Sequence, residues 1–161
     1  MKLVRMFALT TAGAALLAGS AFAQTATQTV TFQVNAINQI AVTGTPSLLI
    51  NAATAGSAPT SVQASGNTWA VTTNQSTAMI TASIASAMPA GLTLSANLAA
   101  PAGATSTGMT ALGTTAVNVV TGITKLNQSG LALTYQLDAT AAAGVVTSAT
   151  RVVTFTITGG V

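Results

Sequence analysis

In the stretch LALTYQL at residues 131–137, large apolar residues alternate with Ala, Thr and Gln. Its three leucines and Tyr135 fall on one side of an extended chain, because successive side chains of a strand point to opposite faces. The spacing of three and four residues that marks an amphipathic helix is not the period found here. The stretch therefore predicts a β-strand with one buried face.

The same period of two recurs on either side of this stretch. It is found at residues 29–36, 69–71, 80–82, 92–98, 117–119 and 153–157, with further short candidate strands at 40–43 and 48–50. Gly, Pro, Asn and Ser separate these runs in compositions typical of turns. Seven or more short strands between such turns predict an all-β fold, an Ig-like antiparallel β-sandwich that forms a single domain.

Three alanine-rich stretches could form helices by propensity alone. They lie at residues 85–90, 98–104 and 139–143. Gly, Pro and Thr interrupt them, and each of these residues disfavours a continuous helix. We therefore expect loops or strand ends there.

The beginning of the chain has the pattern of a secretory signal peptide. A positively charged start and a mostly apolar stretch lead to Ala21 and Ala23, which stand at the two positions that a signal peptidase reads. The apolar stretch is shorter than the ~20 residues of a membrane span. We therefore predict a signal peptide at residues 1–23 and a secreted, extracellular or cell-surface sandwich domain at 24–161 without a membrane span.

The predicted domain is almost without ionisable side chains. Only 3% of the chain is charged, it has no His or Cys, and residues 24–161 hold only Asp138, Lys125 and Arg151. Acid–base catalysis, metal coordination and phosphate binding each need several such groups. A dyad of Lys125 with Ser129 can be imagined, but a solvated turn lysine is the favoured interpretation. We predict no catalytic residue, no cofactor, no metal site, no enzymatic activity and no nucleic-acid partner.

Aromatic residues are the remaining candidates for ligand binding, since aromatic rings can stack on sugars. The domain has four, namely Phe32, Trp69, Tyr135 and Phe155, all on the apolar side of alternating runs. Packing in the core explains this placement best. Trp69, beside a Gly-Asn turn, is the one candidate ligand contact, and with it the alternative function is a monomeric secreted adhesion or glycan-binding module.

The scarcity of charge bears on how sheet edges are protected. Monomeric β proteins defend their edge strands with Lys, inward-pointing charges or Pro, because an unpaired edge can pair with another chain. Few such residues occur here, so the edges are suited to occupation by another strand. Residues 27–36, with Val30, Phe32 and Val34 at the period of two, are the candidate for self-association. They are either a strand donated to a neighbouring subunit or the first strand of their own sandwich.

Several short segments carry a resemblance to known proteins. They read AIN at 36–38, PSL at 46–48, AGS at 55–57, VTTN at 71–74, MPAGL at 88–92, VVTGI at 119–123 and VTFTIT at 153–158. Together they resemble a group of small exported bacterial proteins that look like Ig-type sandwiches, a resemblance that implies a fold and no functional residues. More loosely, the chain is similar to pilin-type subunits that polymerise by donor-strand exchange, although it lacks the cysteine pair usual in chaperone–usher pilins.

These observations predict a function by elimination. The leading hypothesis is a non-enzymatic structural subunit of an extracellular filament or surface layer that self-assembles through β-strand addition. Its partner is another copy of the same chain, with cell-surface components or glycans as further candidates. The alternation leaves open which groove such a strand would fill.

Overall fold

The computed structural model describes residues 23–160. The predicted signal peptide, residues 1–23, therefore lies outside the described residues except for Ala23. The chain divides into a first unit that ends at Gln33 and a second unit, Val34–Val161. All strands of the described chain belong to the second unit.

The second unit is built from nine strands and one short 3₁₀-helix within the described residues. The strands are β1 Asn38–Thr43, β2 Val62–Thr73, β3 Ser76–Ile84, β4 Leu92–Leu98, β5 Thr105–Ser106, β6 Thr110–Ala111, β7 Val117–Ile123, β8 Leu126–Ala139 and β9 Val153–Gly160. The helix is Ala141–Ala143. Half of the structure is strand and 2% is helical, so the all-β prediction is confirmed.

The strands form two antiparallel sheets packed as a sandwich. One sheet has the order β1-β2-β8-β4-β6 and the other has the order β5-β7-β3-β9. The long β8 lies in the middle of the first sheet, between β2 and β4. The predicted antiparallel sandwich is thus confirmed, whereas its Ig-like character stays a prediction.

The core lies between the sheets and is made by the alternating residues. Leu131, Leu133 and Tyr135 of β8 are buried, as their period of two predicts. Opposite them, Ile80 and the neighbouring inward residues of β3 are fully buried. The buried hydrophobic cluster consists of Trp69, Val71, Ala78, Ile80, Ala82, Ile84, Leu94, Ala96, Leu98, Leu112, Val119, Val120, Ile123, Leu131, Leu133 and Tyr135.

Two predicted runs do not become strands. Neither residues 29–36 nor residues 48–50 are strand within the described chain. Leu48 and Ile50 are half-buried and Leu49 is exposed, so the second run alternates in burial without forming a strand. The prediction of a strand at 48–50 was wrong, because a period of two indicates a chain with two different faces and not the presence of a neighbouring strand. The donated strand at 27–36 stays a prediction.

The sandwich has two distinct ends. The upper end holds the turn between β2 and β3, together with the start of β1 and the end of β9, since Asn38 pairs with Thr73 and Ser76 with Gly160. The lower end holds the start of β4, where Leu92 pairs with Ala139. β1 runs toward the lower end and β9 runs away from it.

The turn that follows β1 depends on a glycine. Gly44 has φ +117, and a Cβ built there would overlap the side chain of Asn67, which is buried on β2. We expect Gly44→Ala to lower the free energy of unfolding by more than about 2 kcal/mol, since the left-handed conformation alone costs about 1–2 kcal/mol. Gly56 also has a positive φ but open space around its Cβ position. Gly56→Ala should therefore lower the free energy of unfolding only by the cost of the left-handed conformation. Equal losses for the two variants in urea titrations would contradict this account.

Candidate functional site

The charged residues of the domain are held apart. Asp138, near the lower end of β8, accepts hydrogen bonds from the Ser61 hydroxyl and from Gln136 Nε2. Lys125 lies just before β8 at the upper end, while Arg151 donates from Nε to the carbonyl oxygen of Ala87 at 3.1 Å. Because a strand rises about 3.3 Å per residue, the length of β8 separates the carboxylate from the lysine.

The residues of the imagined dyad lie on different elements. Ser129 lies inside β8, three residues beyond its first residue. Lys125 is exposed in the bend before the strand, which is the placement of a solvated turn lysine. Among residues 23–160 no three His, Cys, Asp or Glu side chains cluster as a metal site would require.

Trp69, the predicted ligand contact, lies in the core. Only 1% of its surface is exposed, and its Nε1 has no hydrogen-bond partner. It sits on β2 opposite Leu131 of β8. The ring therefore presents almost no surface to a ligand, and its contribution is to packing.

The stability of the chain should fall at the alkaline end of the pH range. His and Cys, whose ordinary pKa values lie nearest neutrality, are absent from the sequence. Burial raises the pKa of Tyr135 above its ordinary value of 10.0. The folded state thus keeps a proton that the unfolded state loses, so stability is full below pH 10 and falls above it. We expect the melting temperature to move by less than about 5 °C between pH 5 and 9 and to fall beyond pH 10; a larger change near neutrality would reveal a bound ion or ligand.

Residues 23–37 precede β1. No helix, strand, turn or bend interrupts them. The three predicted self-association residues are all exposed, Val30 by 73%, Phe32 by 90% and Val34 by 76%. Large apolar side chains are most often buried in folded proteins. Here three of them are exposed in one alternating stretch, and we call them the apolar stripe.

Asn74 fixes the base of this segment to the upper end of the sandwich. Its side-chain amide donates to the carbonyl oxygen of Asn35 at 2.7 Å, and its Oδ1 accepts from Ile37 N at 2.8 Å. Its backbone N–H donates to the carbonyl oxygen of Ile37 at 3.2 Å. These bonds fix the position of the backbone at residues 35 and 37, just before β1.

β9 is an edge strand with an unpaired outer side. Within the described chain it has one neighbour, β3. Just beyond their ladder, Ala85 N donates to the carbonyl oxygen of Val152 at 3.0 Å. Because bonded and non-bonded pairs alternate in an antiparallel ladder, the backbone groups of Val153, Phe155 and Ile157 point away from β3. These three residues therefore offer N–H and C=O groups to a further strand.

β1 is the corresponding edge of the other sheet. Its single neighbour among residues 23–160 is β2, and it lies close to β9. At the upper end the two edges are joined by Asn38. Its amide, oriented to suit both neighbours, donates to Thr73 Oγ1 at 2.7 Å and accepts from Gly159 N at 3.2 Å.

Below this junction the sandwich is incompletely covered. Ile40 of β1 and Val153, Phe155 and Ile157 of β9 pack against the core cluster but are only half-buried. The edge of β9 thus combines half-buried apolar side chains with backbone groups that have no strand partner in the described chain.

A cleft of about 780 Å³ lies at the lower end, where β1 has ended and β9 has not begun. Leu48, Leu92, Leu137 and Val146 contribute apolar surface to it, and Arg151 is the one charged side chain in its lining.

Sequence reasoning singled out the exposed stripe but not the edge strands β1 and β9. Which strands lie at the edges depends on the order of the strands in the sheets, and no local pattern encodes that order. Asn74 was part of a turn composition, and its bonds to residues far away in the sequence had no local signal.

The chain was compared with protein-family models, with curated proteins and with solved structures, and nothing matched in any of the three. In the described part of the chain, no helix has the length and apolar character needed to span a membrane.

Proposed function

We propose that the chain is a non-enzymatic structural subunit of an extracellular filament or surface layer, an Ig-like sandwich that self-assembles through β-strand addition. The observation that carries the proposal is the exposed apolar stripe of Val30, Phe32 and Val34. Exposed apolar residues at the period of a strand fit a segment that another copy covers.

The energetics favour covering the stripe. Fully burying a Val or Phe side chain contributes about 1.5–3 kcal/mol, so three such residues contribute several kcal/mol. Backbone hydrogen bonds to an unpaired edge add to this gain. The near absence of charge removes the usual protection against edge pairing and weakens repulsion between copies.

Secretion is part of the proposal and rests on the signal-peptide pattern of residues 1–23. A cysteine-free exported domain has no disulfide to stabilise it, so packing and backbone pairing must do so. Strand addition between subunits would supply further packing and further backbone pairing.

The test is the state of association of purified residues 24–161. Sedimentation and negative-stain microscopy should find fibres or large assemblies, and microscopy of native cell-surface material should find the same protein in them. A stable monomer at all concentrations would contradict the proposal. A stable monomer that binds glycans would instead favour the adhesion module.

A further inference from the structure

We infer that the cleft at the lower end of the sandwich, which we call the lower cleft, binds a small amphipathic anion. The ligand is an aliphatic chain that ends in a carboxylate, and Arg151 binds the carboxylate. This inference goes beyond the proposed function and does not depend on it, since it uses none of residues 27–36. Three features of the lower cleft support it, namely its construction, its apolar lining and its single charge.

The lower cleft is formed where three connections between strands meet. They are the β1–β2, β3–β4 and β8–β9 connections, which contribute lining residues from 47–53, 88–89 and 140–151. Loops that a rigid scaffold brings together at one end often carry binding residues. The volume of about 780 Å³ lies within the range of about 300–1,000 Å³ that is usual for small-molecule sites. The lower cleft thus has the size and the position of a ligand site.

Hydrogen bonds between two of these connections hold the lower cleft in shape. Thr140 N donates to the carbonyl oxygen of Gly91 at 2.8 Å, and Arg151 Nε donates to the carbonyl oxygen of Ala87 at 3.1 Å. The β8–β9 connection is therefore bonded to the β3–β4 connection at two points. A site whose walls are already in place loses less conformational entropy when a ligand binds.

Apolar side chains from all three connections and from the adjoining strands line the lower cleft. Leu48 and Met88 are half-buried and pack against the core cluster, so the apolar lining continues from the core. Leu92 and Leu137 of the adjoining strands are half-buried as well, and Val146 is 40% exposed. Removing such surfaces from water is favourable. The lining therefore selects a ligand with an aliphatic body.

Arg151 brings one positive charge into this lining, where it is half-buried. Asp138 is the only acidic side chain of the whole sequence, and its carboxylate accepts hydrogen bonds from Ser61 and Gln136. Because Leu137 lines the lower cleft, the residues before and after it point to the other face of β8. Arg151 therefore has no acidic side chain to pair with. A half-buried cation without a counter-charge favours an anionic ligand.

The guanidinium of Arg151 is positioned by the backbone and keeps donors for a ligand. Nε donates to the carbonyl oxygen of Ala87, and Nη1 donates to the carbonyl oxygen of Thr150 at 2.8 Å. These bonds use two of the five N–H donors of a guanidinium, so three remain, including both on Nη2. A carboxylate can accept two parallel N–H bonds from a guanidinium. The remaining donors therefore fit a carboxylate head group.

The first test compares decanoate with decanol, which has the same aliphatic chain and no charge. Isothermal titration calorimetry of residues 24–161 should show decanoate binding about tenfold or more tightly than decanol, since hydrogen bonds between charged groups are the stronger ones. Arg151→Gln should abolish this preference and leave the affinity for decanol within about threefold. Unchanged decanoate binding by Arg151→Gln would overturn the inference. An equal loss of both ligands would overturn it too, because Arg151 would then only hold the β3–β4 connection in place.

A pair of substitutions tests the lower cleft without altering Arg151. Val146→Asp places a carboxylate in the lining, whereas Val145→Asp places it one residue away, at a side chain that is 100% exposed and outside the lining. We expect Val146→Asp to weaken decanoate binding by about tenfold or more, because like charges then oppose each other in the site. Val145→Asp should leave the affinity within about twofold, since water and salt screen an exposed charge. Equal affinities of the two variants would overturn the inference.

Methyl resonances locate the ligand directly. In Phe32→Asp subunits, decanoate should shift the methyl signals of Leu48, Leu137 and Val146 and leave those of the buried Leu133 unchanged. Shifts confined to another surface, or no shift at millimolar decanoate, would overturn the inference. If no subunit binds decanoate and Val146→Asp prevents assembly of the otherwise unchanged chain, the lower cleft is a contact between copies and the inference fails.

Discussion

Phe32→Asp subunits are expected to remain monomeric at concentrations at which the unchanged chain assembles. Phe32 is 90% exposed within its own chain, so the substitution removes no contact from the folded domain. In an assembly it would bury an unpaired carboxylate, which costs several kcal/mol. Sedimentation should show the loss of assembly, and thermal unfolding should show a melting temperature within about 2 °C of the unchanged chain.

Thr31→Asp is the matched control for this result. It introduces the same charge one residue away, on the opposite side of the alternating stretch, and should leave assembly within a few-fold of normal. Deleting residues 24–34 gives a second comparison, with a folded product that does not polymerise. If Phe32→Asp unfolds the monomer, or if the deletion yields an unfolded product, the segment stabilises its own domain and donation is contradicted.

Trp69→Ala is expected to have the largest effect on the stability of the subunit. Trp69 is 1% exposed and belongs to the core cluster, and truncation of a buried aromatic residue to alanine costs about 3–5 kcal/mol. Urea titration should show this loss as a lower midpoint with an unchanged slope. The melting temperature should fall by roughly 10–20 °C.

Trp69→Phe separates packing from hydrogen bonding at the same position. The indole Nε1 is buried without a partner, and an unsatisfied buried donor costs about 1–3 kcal/mol. Phenylalanine removes that donor and keeps most of the ring, so we expect a net loss below about 1.5 kcal/mol. A loss as large as that of alanine would show that Nε1 has an unseen partner.

The strands that the sequence predicted best are those whose neighbours lie within the domain. Leu131, Leu133 and Tyr135 alternate and are buried because β2 and β4 flank β8 and the opposite sheet covers its inner face. Residues 29–36 alternate just as clearly but are not strand in the described chain, and their large apolar side chains are exposed. A period of two shows that a segment suits a half-buried strand, and it carries no information on which chain supplies the other half.

Other features had no signal in the sequence. β5 and β6 have two residues each, too few to show any period. The alanines at 141–143 form a single 3₁₀ turn that ends at Gly144 with φ +62, where we expected a loop. The role of Asn74 depends on hydrogen bonds that span more than thirty residues of sequence, and such bonds follow from the topology of the sheets.

A donated segment whose base is held at the upper end of the sandwich would give every filament two unlike tips. One tip would carry a bare segment and the other a bare acceptor edge. Phe32→Asp subunits, whose own segment cannot be donated, could join only the tip with the bare segment and would act as a directional chain terminator. Small amounts of this variant would then shorten filaments, which makes polarity of growth visible without labelling the subunits.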